Sequence, residues 1–328
     1  MNQDLKSKRV MVTTTSFGKT DPTLRPNLEE TVGKVIYNPK GRPLSAEELI
    51  PLIGEIDGLI AGLDHINASV IHAAKKLKVI SRYGIGVDRV DLKAAAEKGI
   101  VVTNTPGANS SAVAELTIGF ILGLARNLCV ADAAAHRGEW PRFSGVGLRG
   151  KTVGLMGLGS IGRAVASRLE PFGCRILACD PVMSTDETED LGVRPVSKEE
   201  LLSQADFISL HVPATPETIG MIDKNAFNRM KEGVYLINTA RGELIDEAAL
   251  KEALDNGRLK GAALDVFKAE PLEKNHFLLR YPQVILTPHM AAHTDEAMNQ
   301  MGWSAMKNCL AVLRGERPEH VVNPEVYI

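Results

Sequence analysis

Residues 152–162 read Thr-Val-Gly-Leu-Met-Gly-Leu-Gly-Ser-Ile-Gly. A short apolar strand runs straight into Gly157-x-Gly159-x-x-Gly162, with Ser160 and Ile161 between the last two glycines, and a helical pattern follows over 163–169. This glycine spacing carries weight only between a strand and a helix, which is its setting here. Gly157 permits the tight turn, Gly159 presents no side chain to an approaching pyrophosphate, and Gly162 lets the helix pack close to the strand. The helix N-terminus then offers oriented N–H groups and a positive dipole end to an anion. A second strand over 175–179 ends at Asp180, close to the ~20-residue offset at which a carboxylate accepts hydrogen bonds from an adenosine ribose. That carboxylate repels a 2′-phosphate, and Pro181-Val182-Met183 contains no arginine to receive one. The stretch predicts a dinucleotide site that favours NAD over NADP.

Working outward, the pattern continues with strands near 206–211, 234–238, 261–265 and 284–287. The N-terminal third has its own series: strands at 10–14, 58–61, 79–81 and 100–103, and helices at 45–53, 69–77 and 91–98. Ser45 is the expected N-cap of the first of these helices. Short strands alternating with helices imply right-handed crossovers and parallel sheets, hence an α/β protein with two such units. The pattern over 110–127 is apolar on nearly all sides and reads as one helix buried between domains or subunits. A closing helix over 296–313 stops at Gly315.

The chain has 328 residues, 44% apolar and 24% charged, with a net charge of −2. Two domains are expected from the length. A dominant basic surface for nucleic acid is absent. Aromatic content of 5% argues against a stacking platform for single strands. Four scattered cysteines without C-x-x-C spacing read as reduced apolar residues, and no metal site is expected. The apolar run 116–125 falls short of the ~20 residues a membrane span needs. No targeting segment is read at the N-terminus, so a cytoplasmic location is expected.

Three polar residues stand just beyond strands of the second series: Arg241, Glu270 and His289. Each alone reads equally well as a loop residue. Together they match the interconversion of a secondary alcohol and a ketone beside a carboxylate. A guanidinium can clamp the carboxylate and polarise the carbonyl oxygen. An imidazole can exchange the hydroxyl proton near neutral pH. A carboxylate can orient that imidazole. A nicotinamide carries the hydride. In the first series, loops 15–19, 62–65 and 82–86 leave strand carboxyl ends, where ligands of open parallel sheets bind.

The stretches at 104–116 (Asn-Thr-Pro-Gly-Ala-Asn-Ser-Ser-Ala-Val-Ala-Glu-Leu), 157–162, 211–218 (His-Val-Pro-Ala-Thr-Pro-Glu-Thr), 236–250, 263–272 and 287–291 resemble the D-isomer-specific 2-hydroxyacid dehydrogenase family. The resemblance covers nearly all of residues 79–325. It implies two Rossmann-like doubly wound parallel-sheet domains. An NAD-binding domain (104–293) is inserted in a flavodoxin-like substrate (catalytic) domain made of 1–103 and 294–328. It implies that Arg241, Glu270 and His289 are catalytic, and that Thr239, Ala240, Arg241, Asp265 and His289 lie against the nicotinamide. His211, Val212, Pro213 and Thr218 would lie near the dinucleotide. Tyr83, Gly84, Ile85 and Gly86, with Arg241 and His289, would hold a small 2-hydroxy or 2-keto acid. A homodimer formed through the cofactor domain is implied, which would account for the apolar 110–127 helix. The nearest subgroups are 3-phosphoglycerate dehydrogenases and hydroxypyruvate or glyoxylate reductases.

Two departures from the phosphoglycerate pattern matter. An R-S-x-T stretch that helps hold phosphate is replaced by Gly62-Leu63-Asp64-His65, for which Lys19, His65 or Arg82 could substitute. The serine-binding regulatory domain of longer relatives does not follow Asn323-Pro324-Glu325. Formate dehydrogenases carry glutamine where this chain has Glu270, so that subgroup is disfavoured. Other reductases, including a sulfolactate type, stay open. So does an NAD-sensing corepressor, although no disordered tail or basic patch accompanies the motifs. A hydrolase that holds NAD permanently is disfavoured by the Arg241, Glu270 and His289 set.

Overall fold

The computed structural model describes residues 4–183 and 185–328, the side chains of 185–187 excepted. The chain forms two compact units, one of residues up to Asn109 together with His293–Ile328, the other Ser110–Ala292.

The first unit holds a five-stranded sheet of β1 (Arg9–Val12), β2 (Lys34–Tyr37), β3 (Gly58–Ala61), β4 (Val79–Arg82) and β5 (Val101–Thr103). All pairs are parallel and the order is β2-β1-β3-β4-β5. Strand periodicity explains the layering. Met11 of β1 points into a core with Leu49, Ile53 and Ile80, while Val10 and Val12 point into another with Leu24, Leu28 and Leu313. Helix Ala46–Ile53 starts at the expected Ser45, in a capping box with Glu48. The closing helix, Asp295–Arg314, is capped by Thr294, ends at Gly315 in the left-handed region, and packs on β3 so closely that a Cβ at Gly58 would lie 2.7 Å from Cys309 Sγ.

The second unit holds β6 (Thr152–Met156), β7 (Arg175–Cys179), β8 (Val193–Pro195), β9 (Phe207–Leu210), β10 (Val234–Asn238), β11 (Leu259–Leu264) and β12 (Val284–Leu286). The order is β12-β11-β10-β9-β6-β7-β8, again with parallel pairs. Connectivity reverses between β6 and β9, and ligands of open α/β sheets bind at the carboxyl ends beside such a switch point. The glycine turn leaves β6 there. The expected α/β class with two parallel sheets is what the chain adopts.

Several expected elements differ. The strand expected at 100–103 is the fifth, not the fourth, because helix Leu24–Thr31 and β2 precede β3 in the chain. β2 is a partly exposed edge strand, so its alternation is weak. β8 has only three residues and ends in proline. The helix expected over 69–77 stops at Ala73. Lys98 Nζ donates to the carbonyls of Ile71, His72 and Ala74 and closes that helix end.

The single helix expected over 110–127 is two helices, Ser110–Ala125 and Leu128–His136, bent by 66°. Asn127 sits between them at φ 54, a conformation asparagine tolerates. Ala114, Phe120, Ile121 and Leu124 pack into the unit's own core with Leu155, Val165 and Ile237, so burial of the first helix needs no partner. Among the described residues no single helix is long and apolar enough to cross a membrane, although this bent pair passes by length and composition.

Candidate active site

The glycine turn has the geometry its spacing predicts. Gly157 has φ +98, and a Cβ there would lie 2.5 Å from the His211 carbonyl oxygen. At Gly162 a Cβ would lie 2.2 Å from the Gly157 oxygen, whereas at Gly159 nothing lies within 4 Å. Gly157 and Gly162 are thus required by the fold, while Gly159 leaves open space. Helices Ala46–Ile53, Ala68–Ala73, Leu92–Glu97, Lys198–Gln204, Lys224–Arg229, Glu247–Asp255 and Asp295–Arg314 all carry a side-chain N-cap bond. Helix Ser160–Leu169 begins at Gly159 with none. Its first N–H groups have no intrahelical partner, a donor set that fits the pyrophosphate of a dinucleotide.

Asp180 sits at the end of β7, where Oδ2 accepts from Leu158 N–H at 2.7 Å and Oδ1 from Val182 N–H at 2.9 Å. These bonds fix the carboxylate beside the turn. His211 follows β9, and its N–H donates to the Met156 carbonyl. Among the described residues its Nε2 is buried without a protein partner, and burial pushes its pKa down to about 4, so the ring is neutral. Thr218 Oγ1 donates to the Pro213 carbonyl and accepts from Thr215 N–H, closing the loop after Val212 and Pro213.

Beyond β10, Asn238 builds the turn that carries Arg241. Its Nδ2 donates to the Arg241 carbonyl at 2.7 Å and its Oδ1 accepts from Ala240 N–H at 3.0 Å. Gly242 lies so near the Phe267 backbone that a Cβ would be 2.1 Å from the Phe267 carbonyl carbon. The Arg241 turn therefore abuts the loop leading to Glu270. Glu270 accepts from His289 Nδ1 through both oxygens, at 3.0 and 2.9 Å, and Oε1 also accepts from Phe267 N–H. With His289 three-quarters and Glu270 six-sevenths buried, this pair is protected from bulk water on most sides.

His289 holds φ 50, rare for a residue with a Cβ. The conformation is maintained by Asp265, which is fully buried. Its Oδ1 accepts from Thr287 Oγ1 at 2.5 Å and Met290 N–H at 2.8 Å, its Oδ2 from Ala291 N–H at 2.8 Å, and its carbonyl from His289 N–H at 2.8 Å. Sequence reasoning missed the roles of Asn238 and Asp265 in shaping these loops. An asparagine closing a strand ahead of Ala-Arg was the available signal for the first.

In the first unit, the loop after β4 turns its carbonyls inward. Gly84 O accepts from Thr105 N–H, and Ile85 O from Asn104 Nδ2. Among the described residues, the N–H groups of Gly84, Ile85 and Gly86 donate to no protein group, which makes a row of donors suited to a carboxylate. The Tyr83 side chain is spent on packing: its hydroxyl donates to Met298 O at 2.7 Å, and burial raises its pKa to about 12.

Arg82 does not replace the missing phosphate arginine. It is 3% exposed, and its guanidinium donates to Gly86 O and Ala61 O. Asp64 is likewise internal, accepting from Thr13 Oγ1, Leu44 N–H and Gly62 N–H. Among the described residues no His, Cys, Asp and Glu cluster could hold a metal ion.

A family model described as D-isomer specific 2-hydroxyacid dehydrogenase, NAD binding domain, matches residues 118–291. A glyoxylate reductase from Thermofilum pendens is 43% identical over 307 residues, covering 91% of each chain. The chain belongs to the D-isomer-specific 2-hydroxyacid dehydrogenase family. Another member, D-3-phosphoglycerate dehydrogenase from Methanocaldococcus jannaschii, is 46% identical over 284 residues, covering 85% of this chain but 54% of its own. The chain thus spans about half the length of the phosphoglycerate dehydrogenases it matches. Among solved structures, D-lactate dehydrogenase from Aquifex aeolicus, complexed with NAD and lactic acid, superposes with a TM-score of 0.85 at 29% identity. That match covers 96% of this chain and 99% of the other. In this dehydrogenase family member, then, the glycine turn, the uncapped helix and Asp180 belong to an NAD-binding domain.

Proposed function

We propose that the protein interconverts a small D-2-hydroxyacid and its 2-keto acid with NAD, using Arg241, Glu270 and His289. The observation that carries this reading is the contact of both Glu270 oxygens with His289 Nδ1, beside the Arg241 turn. With Nδ1 engaged, Nε2 is the nitrogen that exchanges a proton with the substrate oxygen. Bound NAD supplies the hydride acceptor, and NADH the donor. Arg241 pairs with the substrate carboxylate and draws charge toward the keto oxygen. In the first unit, the N–H groups of Gly84, Ile85 and Gly86 are suited to a carboxylate, and in the second Glu270 fixes the orientation of the His289 ring through Nδ1.

We read the substrate as 3-phosphoglycerate-like, a reading supported by the phosphoglycerate dehydrogenases among the relatives. A second reading, glyoxylate or hydroxypyruvate, is supported by one observation: the side chains of Arg82 and Asp64 are both held inside the fold, Arg82 on the Gly86 and Ala61 carbonyls and Asp64 on the Leu44 and Gly62 N–H groups. The deciding experiment is NADH consumption with 3-phosphohydroxypyruvate, hydroxypyruvate, glyoxylate, pyruvate and sulfopyruvate. Turnover with none of them, alongside intact NADH binding, would overturn the enzymatic reading and favour an NAD sensor. Equal kcat/KM with NADPH and NADH would overturn the role of Asp180. The reading includes a cytoplasmic homodimer. Leu128, Trp140 and Phe143 of the second unit are 62%, 84% and 42% exposed, large apolar side chains that a second copy could cover. Sedimentation as a monomer at micromolar concentration would refute it.

A further inference from the structure

Thr117 lies in helix Ser110–Ala125 and is completely buried. Its Oγ1 donates to the Val113 carbonyl one turn back, at 2.8 Å. The same oxygen lies 3.2 Å from Thr239 Oγ1, also buried. A threonine hydroxyl has a single proton and two lone pairs. The Thr117 proton is committed to Val113, a neutral carbonyl with good geometry. Toward Thr239 the Thr117 oxygen is therefore an acceptor, and Thr239 must donate.

That fixes the polarity of Thr239. Its proton points back into the helix, so its outward lone pairs can only accept. Thr239 begins the turn that Asn238 ties to Ala240 and Arg241. We infer that Thr117 is a positioning residue that turns the Thr239 hydroxyl into a fixed hydrogen-bond acceptor for the carboxamide N–H₂ of the nicotinamide. This rests on the proposed NAD-dependent reaction and on the placement of Thr239, Ala240 and Arg241 against the nicotinamide that the family resemblance implies. An acceptor whose rotor is already locked loses little entropy on binding and discriminates against a ring substituent that cannot donate.

The test is equilibrium binding to the full-length protein, followed by quenching of Trp fluorescence. The probes are NADH and its reduced acetylpyridine analogue, in which a methyl ketone replaces the carboxamide. Wild type should prefer NADH, and Thr117→Val should weaken NADH by about five- to ten-fold, the worth of one net hydrogen bond, while leaving the analogue nearly unchanged. Thr117→Ser should restore the preference. Thr117→Val that binds both ligands as wild type does, or weakens both equally, overturns the inference. If Thr117→Val does not fold by circular dichroism, Thr117→Ala gives the same readout, and Thr239→Val must abolish the preference outright. Failure of the keto-acid panel with wild type would instead overturn the enzymatic reading. A wild type that binds both probes equally would overturn the placement of the turn.

Discussion

Two buried carboxylates, one in each unit, do the same structural job with different consequences. Asp64 follows β3, Asp265 follows β11, and neither is exposed to solvent. Each accepts one threonine hydroxyl and two backbone N–H groups, Asp265 all from the 287–291 segment and Asp64 from Thr13, Leu44 and Gly62 on three segments. At Asp265 the loop so held carries His289, whose left-handed backbone needs the restraint. At Asp64 the loop carries Leu63 and His65, beside a buried Arg82 that is itself spent on carbonyls. A charged residue at a strand end can thus be consumed in shaping a loop, in which case its charge says nothing about the ligand. What separates the two clamps is the residue each one presents.

The largest effect expected is at the residue that the second clamp presents. His289→Ala should lower kcat by ~10²–10⁴, checked by steady-state turnover at saturating NADH. Near-full turnover would remove the functional difference between the clamps. Next come the clamps themselves. Asp265→Ala strands buried donors and should cost about 3 kcal/mol of stability in urea titrations, with kcat falling at saturating keto acid. Asp64→Ala should cost about the same but raise KM while sparing kcat. Equal losses of kcat in both variants would break the comparison.

Two glycines of the turn sharpen it further, because one serves the fold and the other the ligand. Gly159→Leu meets open space, so the melting temperature should hold while NADH affinity falls by about ten-fold or more, measured by titration. Gly157→Ala should instead lower the melting temperature, since a Cβ would collide with the His211 carbonyl. The smallest effect concerns pH. His211 has a folded pKa of about 4 against 6.5, so the unfolded chain binds its proton first. The stability from keeping this ring neutral is complete above pH 6.5 and is lost as pH falls toward 4. The loss relative to neutral pH should reach about 2 kcal/mol near pH 5. Thermal melts of wild type should show this slope, and melts of His211→Gln should lack it.

Much of the second unit was legible along the chain. The glycine turn, Asp180 and the strands that carry Arg241, Glu270 and His289 declare themselves because each depends on neighbours within a few residues. Edge elements were harder: β2 is half exposed and β8 very short, so neither shows a clear alternation. The break at Asn127 was hidden inside an unbroken apolar run, since one left-handed residue leaves composition unchanged. Asp64, Arg82 and Thr117 could not be assigned from spacing, because their partners lie on other elements.

The sequence by itself determined the α/β class, the dinucleotide turn and the identities of the three candidate catalytic side chains, since local spacing and residue chemistry suffice for these. Tertiary structure decided which polar groups are available. Hydrogen bonds to other segments and loops consume Asp64, Asp265 and Arg82, and among the described residues they leave unpaired the N–H groups at Gly84–Gly86 and the start of helix Ser160–Leu169. A buried polar group has few partners to choose from, and only the folded chain shows which ones it took.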